Sequence, residues 1–385
     1  MPFDCQHRVK YGRDICLTDC PSTAEHGGCE YARVERDGDL PPANPDVIDV
    51  AVLDMHHGWP NLGHDAIVHG VQNAVCDLQS DLAAAGLRFR VLSYDVRRGA
   101  RIPEGPGGRH TIYLGTGGPG HLDPAKNDGV SPGSQGIRED PAWEAPLFRL
   151  FDRIRADDDA VLLAVCHTFG VMCRWLGIAD AVLRGSEKGG KSTGILENVL
   201  TPAAADHPWF GLFARELPDR RRLRILDSRL YDLIPHAEPL PEGITAIAYE
   251  ALGVGGPAGN ALTMMEVARD RAGRMPRIFG VNHHPEIVNR PRQLTILRKR
   301  MERGEVTPEW YEERVAALTE DIHDHGDRAL HVTSSYTLLA PLRHYLHQEA
   351  LRRASQLGRR LVIDPDRVPI LFRASAAQVQ GPEGG

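Results

Sequence analysis

Short apolar, β-branched runs alternate with longer stretches of mixed polarity from Asp46 to about Val288, and this rhythm sets the expected fold. Val47 to Leu53 reads as a strand buried on both faces, and Ala66 to Ala85 as a helix closed by Gly86. Arg88 to Tyr94 and Thr111 to Leu114 follow as strands. Pro146 to Ala156 predicts a helix with proline in its first turn, where the missing N–H costs nothing, and Ala160 to Val165 another buried strand. Further strands are expected at Leu223 to Leu226, Thr245 to Tyr249, Thr263 to Ala268 and Arg277 to Val281. Strand, helix, strand in this order predicts an α/β fold, a doubly wound, mostly parallel sheet flanked by helices over residues 46–290. A Cys-rich N-terminal segment, residues 1–45, precedes it and leaves through Pro41-Pro42-Ala43-Asn44-Pro45. A helical C-terminal extension, residues 291–385, follows. Its Leu-, Arg-, Glu- and Ala-rich stretch from Arg290 to Arg360 predicts two or three amphipathic helices, with fraying beyond Ala374.

Composition narrows the classes. Of the 385 residues, 42% are hydrophobic and 25% charged, as in ordinary globular proteins. A formal net charge of -7 and a pI near 6.2 argue against a nucleic-acid partner. The basic runs Arg220-Arg221-Arg222 and Arg298-Lys299-Arg300 sit among apolar and acidic residues and read as solvated faces. No apolar stretch reaches membrane-spanning length. The opening Met1-Pro2-Phe3-Asp4-Cys5 lacks a secretory pattern, so the 7 cysteines are expected as thiols in a cytoplasmic protein.

Three segments carry candidate chemistry. Val161-Leu162-Leu163-Ala164-Val165-Cys166 runs from a buried strand into a helix. A cysteine at such a junction stands on a tight turn, where the helix N-terminus favours its thiolate and the following N–H groups face what it attacks. A lone cysteine is more often a buried small apolar residue, so the other two segments matter. Gly280-Val281-Asn282-His283-His284-Pro285-Glu286 ends a strand in a turn fixed by proline. That turn lets Glu286 reach back and orient His284 as a base. Thr111 to Leu114 leads into Gly115-Thr116-Gly117-Gly118-Pro119-Gly120, a loop able to bring a bare N–H to a developing oxyanion. All three stand at the ends of expected parallel strands and would meet at one sheet edge.

Glycine loop, cysteine elbow and His-Pro-Glu, in this order over residues 47–290, resemble the class I glutamine amidotransferase-like superfamily. The resemblance implies Cys166 as nucleophile, His284 as base and Glu286 as its partner, with oxyanion N–H groups from Gly118 and His167 beside Gly117. It implies hydrolysis of glutamine through a thioester, with ammonia passed to a separate synthetase partner, and no cofactor for the triad. The elbow departs from the family pattern Gly-x-Cys-x-Gly-x-Gln. Ala164 and Thr168 stand for its glycines and Gly170 for its glutamine, which helps hold the substrate's amino-acid end. Another amide or acyl donor therefore stays open as the small-molecule substrate.

A second branch of the superfamily, the homoserine O-acyltransferases of the succinyltransferase type, is similar in the order of Lys191 to Glu197, His207-Pro208-Trp209-Phe210 and Asp227-Ser228-Arg229. This resemblance implies substrate contacts at Ser228 and Arg229, and a carboxylate-binding guanidinium at Arg298. A binding module that has lost catalysis is the third reading. Cys5, Cys16, Cys20 and Cys29, near His7 and His26, are candidate ligands of a structural zinc ion. His56 to Asn61 can line the site with Trp59 as a wall, or merely form a capped turn. His323-Asp324-His325 and His344 with His347 have loose ligand spacing and read as surface, and Cys173 reads as core.

Overall fold

The computed structural model describes residues 29–59, 61–185, 190–287, 289–320 and 325–362. The chain begins β1 (Cys29–Val34), β2 (Val47–Asp54), α1 (Leu62–Cys76), α2 (Gln79–Ala84), β3 (Arg88–Asp95), β4 (His110–Gly115) and α3 (Glu144–Ala156). It continues β5 (Val161–Val165), α4 (His167–Leu176), β6 (Ala179–Leu183), β7 (Ser192–Leu200), α5 (Pro202–Asp206), α6 (Phe210–Glu216), β8 (Arg222–Arg229) and β9 (Tyr231–Pro235). It closes with β10 (Thr245–Ala251), β11 (Ala258–Arg269), β12 (Pro276–Val281), α7 (Arg290–Glu302), α8 (Pro308–Thr319), α9 (His325–Ser334) and α10 (Ala340–Gln356).

A 10-stranded sheet in the order β1-β3-β2-β4-β5-β12-β11-β10-β7-β8 organises these elements. From β1 to β12 every pairing is parallel, and from β12 to β8 every pairing is antiparallel. Strands in the parallel half are buried along most of their length because both faces are covered, and β5 is apolar throughout. Along β2, Val50 and Val52 belong to the core layer that also holds Val71 of α1, Phe213 of α6 and Leu346 of α10. Ala51 and Leu53 face α3 and α4, through Phe151 and Met172. This is the period-two alternation of a strand.

Several expectations need correction. The helix expected from Ala66 to Ala85 is two, α1 and α2, and α1 starts earlier, where Asn61 Oδ1 accepts from Gly63 N at 2.6 Å. Gly86 does close the second, at φ 64°. The strands near 223, 245 and 263 lie in the antiparallel half, where β10, β11 and β12 follow one another by direct connections. β1 opens inside the expected N-terminal segment, yet pairs with β3 as the sheet's edge. Cys29 is buried there in the main core, and Cys5, Cys16, Cys20, His7 and His26 lie outside the described residues. Among the described residues no group of acids, histidines and cysteines is arranged to hold a metal, and no helix is long and apolar enough to cross a membrane.

The C-terminal extension holds α7, α8, α9 and α10, more than expected, with a π turn at Ser335–Leu339 joining the last two. Its helices pack on the α/β body. Arg300 Nη2 donates to Asp65 Oδ2 at 2.7 Å, tying α7 to α1. Leu297 and Leu318 meet Leu62, Ile195 and Leu226 in a small separate core.

Candidate active site

Cys166 links β5 to α4 with φ 49° and ψ -103°, a conformation that costs a non-glycine residue about 1–3 kcal/mol. Its neighbours over-determine it. Cys166 N donates to Val281 O at 2.7 Å, and Gly170 N closes the first helical turn onto Cys166 O at 3.0 Å. Thr168 donates to Thr116 O from both its N and its Oγ1, the latter at 2.7 Å. The β-branched residue fits because the strand opposite has none: a Cβ on Gly115 would lie 2.2 Å from Thr168 Cγ2. The glycine that the elbow lacks is thus supplied across the turn. Gly170, where the family carries glutamine, is filled by a neighbour, since a Cβ there would meet Leu122 Cδ1 at 2.4 Å.

His284 stands beyond the end of β12, its N donating to Leu226 O at 2.9 Å. Its Nδ1 lies 2.8 Å from Glu286 Oε1, and its ring also hydrogen-bonds the Cys166 side chain. Burial alone would lower its pKa. The Glu286 carboxylate and then Cys166 override burial and hold the imidazole well above its ordinary value. The Glu286 side chain is fully buried against the N-terminus of α1, whose positive end suits a carboxylate. A Cβ on Gly63 would sit 2.6 Å from Glu286 Oε1, so that approach needs glycine. The preceding His283 points elsewhere. Buried, with Nε2 3.5 Å from Thr337 Oγ1, it is pushed down to about 3 chiefly by desolvation.

The glycine loop forms the third wall. A Cβ on Gly117 would lie 3.1 Å from His284 Cε1 and 3.8 Å from Cys166 Sγ, so the absent side chain leaves space between nucleophile and base. Gly118 is pressed against the end of β2, where a Cβ would fall 2.2 Å from Met55 O. Among the described residues, neither the Gly118 nor the His167 backbone N–H is given to a backbone acceptor outside regular structure. The His167 ring is buried and hydrogen-bonds the Gly118 backbone; desolvation, and then Arg97, hold its pKa well below the ordinary value.

The remaining candidates divide. Ser228 is half-buried on β8, two residues past the carbonyl that holds His284, and its N donates to Asp227 Oδ1 at 3.0 Å. Arg229 is buried in an ion cluster, with Nη2 2.6 Å from Glu250 Oε2 and Nε 3.2 Å from Asp227 Oδ2. Arg298 is exposed on α7, whose buried arginines are Arg290, Arg292 and Arg300, so the structure does not bring it to the triad. His56 is buried on Asp54, with Nδ1 2.9 Å from Oδ1. Asn61 caps α1, and Trp59 is 41% exposed. Cys173 is core, its thiol pushed up by burial. His344 lies 3.7 Å from Asp270, and His347 is pushed down to about 4 by desolvation. The side chains of His323 to His325 lie outside the described ones. Sequence reasoning missed Leu122, Gly63, Arg97 and Glu139, which act across long separations and have no local pattern.

An α/β protein with a cysteine elbow, a His–Glu pair and a glycine loop at one sheet edge is the class that this geometry defines. No family model matches the chain, and no curated protein does. Among solved structures it is similar to a glutamine amidotransferase from Thermotoga maritima, at 14% identity and TM-score 0.43, over 79% of this chain and 98% of that one. It is also similar to a glutamine amido transferase from Methylobacillus flagellatus, at 13% identity and TM-score 0.44, over 78% and 95% respectively. Likeness at this level says nothing of substrate or partner.

Proposed function

We propose that the protein is an amide- or acyl-transferring enzyme in which Cys166 forms a thioester, glutamine being the first donor to test. The observation that supports this most is the His284 imidazole, hydrogen-bonded to both Cys166 and Glu286 beside the space left by Gly117. The Cys166 sulfur attacks the amide carbon, and its proton passes through His284 to the leaving nitrogen. The C–N bond breaks, ammonia leaves and an acyl group stays on Cys166. His284 then takes a proton from water, the resulting hydroxide attacks the thioester carbon and the C–S bond breaks; the Cys166 sulfur takes the proton back from His284, and the free acid departs. Gly118 and His167 N–H groups hold the negative oxygen in both halves. A separate synthetase would take the ammonia.

A second reading, transfer from an acyl thioester donor, gains from one contact. Leu122 fills the space over Gly170, so the side chain that serves glutamine in the family has no counterpart there. Incubation with glutamine, scoring ammonia and glutamate from wild type and Cys166→Ala, tests the first reading. Cysteine-dependent release supports it. Silence with glutamine together with Cys166-dependent turnover of an acyl-CoA selects the second.

A further inference from the structure

We propose that Arg97, clamped by Glu139, is a positioning residue that sets the oxyanion loop of this enzyme. The inference rests on the thioester reading above and concerns a pair just past β3 and ahead of α3, neither in a recognised motif. Arg97 Nη1 donates to two backbone carbonyls at once, Met55 O at 2.9 Å and Pro119 O at 2.6 Å. It thereby staples the end of β2 to the glycine loop. The other nitrogens form a bidentate pair with Glu139, Nε to Oε1 at 2.6 Å and Nη2 to Oε2 at 2.7 Å. Both side chains are 0% exposed. Asn127 Nδ2 and Trp143 Nε1 complete the carboxylate's shell at 2.7 and 2.9 Å.

A fully buried ion pair is weak evidence of stability, because apolar residues of equal volume often serve as well. Its fixed fork is better suited to holding geometry. That geometry acts on the loop peptide by peptide. Thr116 Oγ1 donates to Gly117 O at 2.9 Å. In a trans peptide the following N–H points the opposite way, so this bond aims the Gly118 N–H away from Thr116. Arg97 then fixes the next carbonyl but one, Pro119 O, and limits the loop from behind: a Cβ on Gly118 would lie 3.2 Å from Arg97 Nη1. The His167 ring holds the Gly118 backbone between these two ties. The loop around this donor is therefore anchored by the Arg97 guanidinium and the Thr116 hydroxyl, neither of which is a member of the triad.

Acylation and alkylation of the same thiol separate this role from a general one. Attack on a carbonyl builds an oxyanion, whereas displacement of iodide from iodoacetamide does not. The probes are p-nitrophenyl acetate and iodoacetamide, on wild type, Arg97→Lys and Glu139→Gln, with folding checked by denaturant midpoint. Losing one oxyanion donor outright costs about 10²–10³-fold, so a displaced donor should slow acylation by about 10- to 100-fold. The effect should fall on kcat more than on KM. Alkylation of Cys166 and its pH profile should not move. Glu139→Gln keeps the shape of the clamp and should give a smaller loss of the same kind. Unchanged acylation in both folded variants would overturn the proposal, and so would equal loss of acylation and alkylation. Failure of p-nitrophenyl acetate to acylate Cys166 in wild type would instead sink the thioester reading beneath it.

Discussion

The two halves of the sheet reach the site in different ways. In the parallel half, β4, β5 and β12 all end at one edge, so Gly117, Cys166 and His284 meet although they are far apart in sequence. In the antiparallel half, directions alternate, and β8 touches the site sideways through the Leu226 carbonyl while its side chains enter the Arg229 ion cluster. The parallel half carries reactive groups and local strain. The antiparallel half brings no triad residue, only the buried Arg229 ion cluster beside the site, although buried pairs such as Arg33–Asp54 and Arg97–Glu139 belong to the parallel half as well. Chemistry should therefore be lost from the first with little cost in folding, and folding from the second with little change in chemistry.

The sharpest test of that contrast is Cys166→Gly. Turnover should fall by about 10⁴-fold or more, as for removal of a nucleophile. Relief of the left-handed backbone should meanwhile raise stability by about 1 kcal/mol in denaturant unfolding. Glu286→Gln should cost about 10²–10⁴-fold in kcat, because the imidazole loses its orienting charge. It also changes pH dependence. The folded His284 pKa is raised, so the stability this pair contributes is complete below the unfolded value of about 6.5. It is lost as pH climbs through the folded value. Unfolding curves from about pH 6 to about pH 9 should show that loss in wild type and a flatter profile in Glu286→Gln.

On the other side of the comparison, Arg229→Met takes the buried cation from Asp227 and one of the cations from Glu250, where Arg184 remains at 3.2 Å. It should destabilise by about 3–5 kcal/mol, with Cys166 alkylation in the folded fraction unchanged. A folded variant with wild-type stability would break the contrast. Within the parallel half, Gly115→Ala should cost about 1–3 kcal/mol by crowding Thr168, and Thr168→Gly in the same chain should recover part of it. The smallest effect belongs to Arg298→Ala, within about 0.5 kcal/mol in stability and without change in acylation, since the side chain is exposed.

The same contrast governs how much the sequence discloses. β5, with its run of buried apolar residues, and the elbow after it are visible because a strand covered on both faces cannot hide its composition. β8 mixes Arg222, Arg224, Asp227 and Arg229 into its length, and only its apolar middle stands out. β7 was missed for the same reason, with Thr193, Gly194, Glu197 and Asn198 breaking its pattern. β1 looks polar because Arg33 pairs with the buried Asp54 at 2.6 Å, a partner that local pattern cannot supply. At the site, Cys166, His284 and Glu286 are legible as motifs. Their fit is not: Thr168 against Gly115, Leu122 over Gly170 and Glu286 against Gly63 are each contacts between segments remote in sequence. On α7 the inward face holds Arg290, Arg292 and Arg300 beside Gln293 and Leu297, and polarity alone assigns the arginines to solvent.

The central claim, that Cys166 is a nucleophile driven by His284, is tested most directly by acid-quenched peptide mapping after brief exposure to p-nitrophenyl acetate. The acetyl group should appear on Cys166 and not on Cys29, Cys76 or Cys173, and should vanish from Cys166 in His284→Ala. An acetyl group spread evenly over the thiols, or one on Cys166 indifferent to His284, would contradict the account.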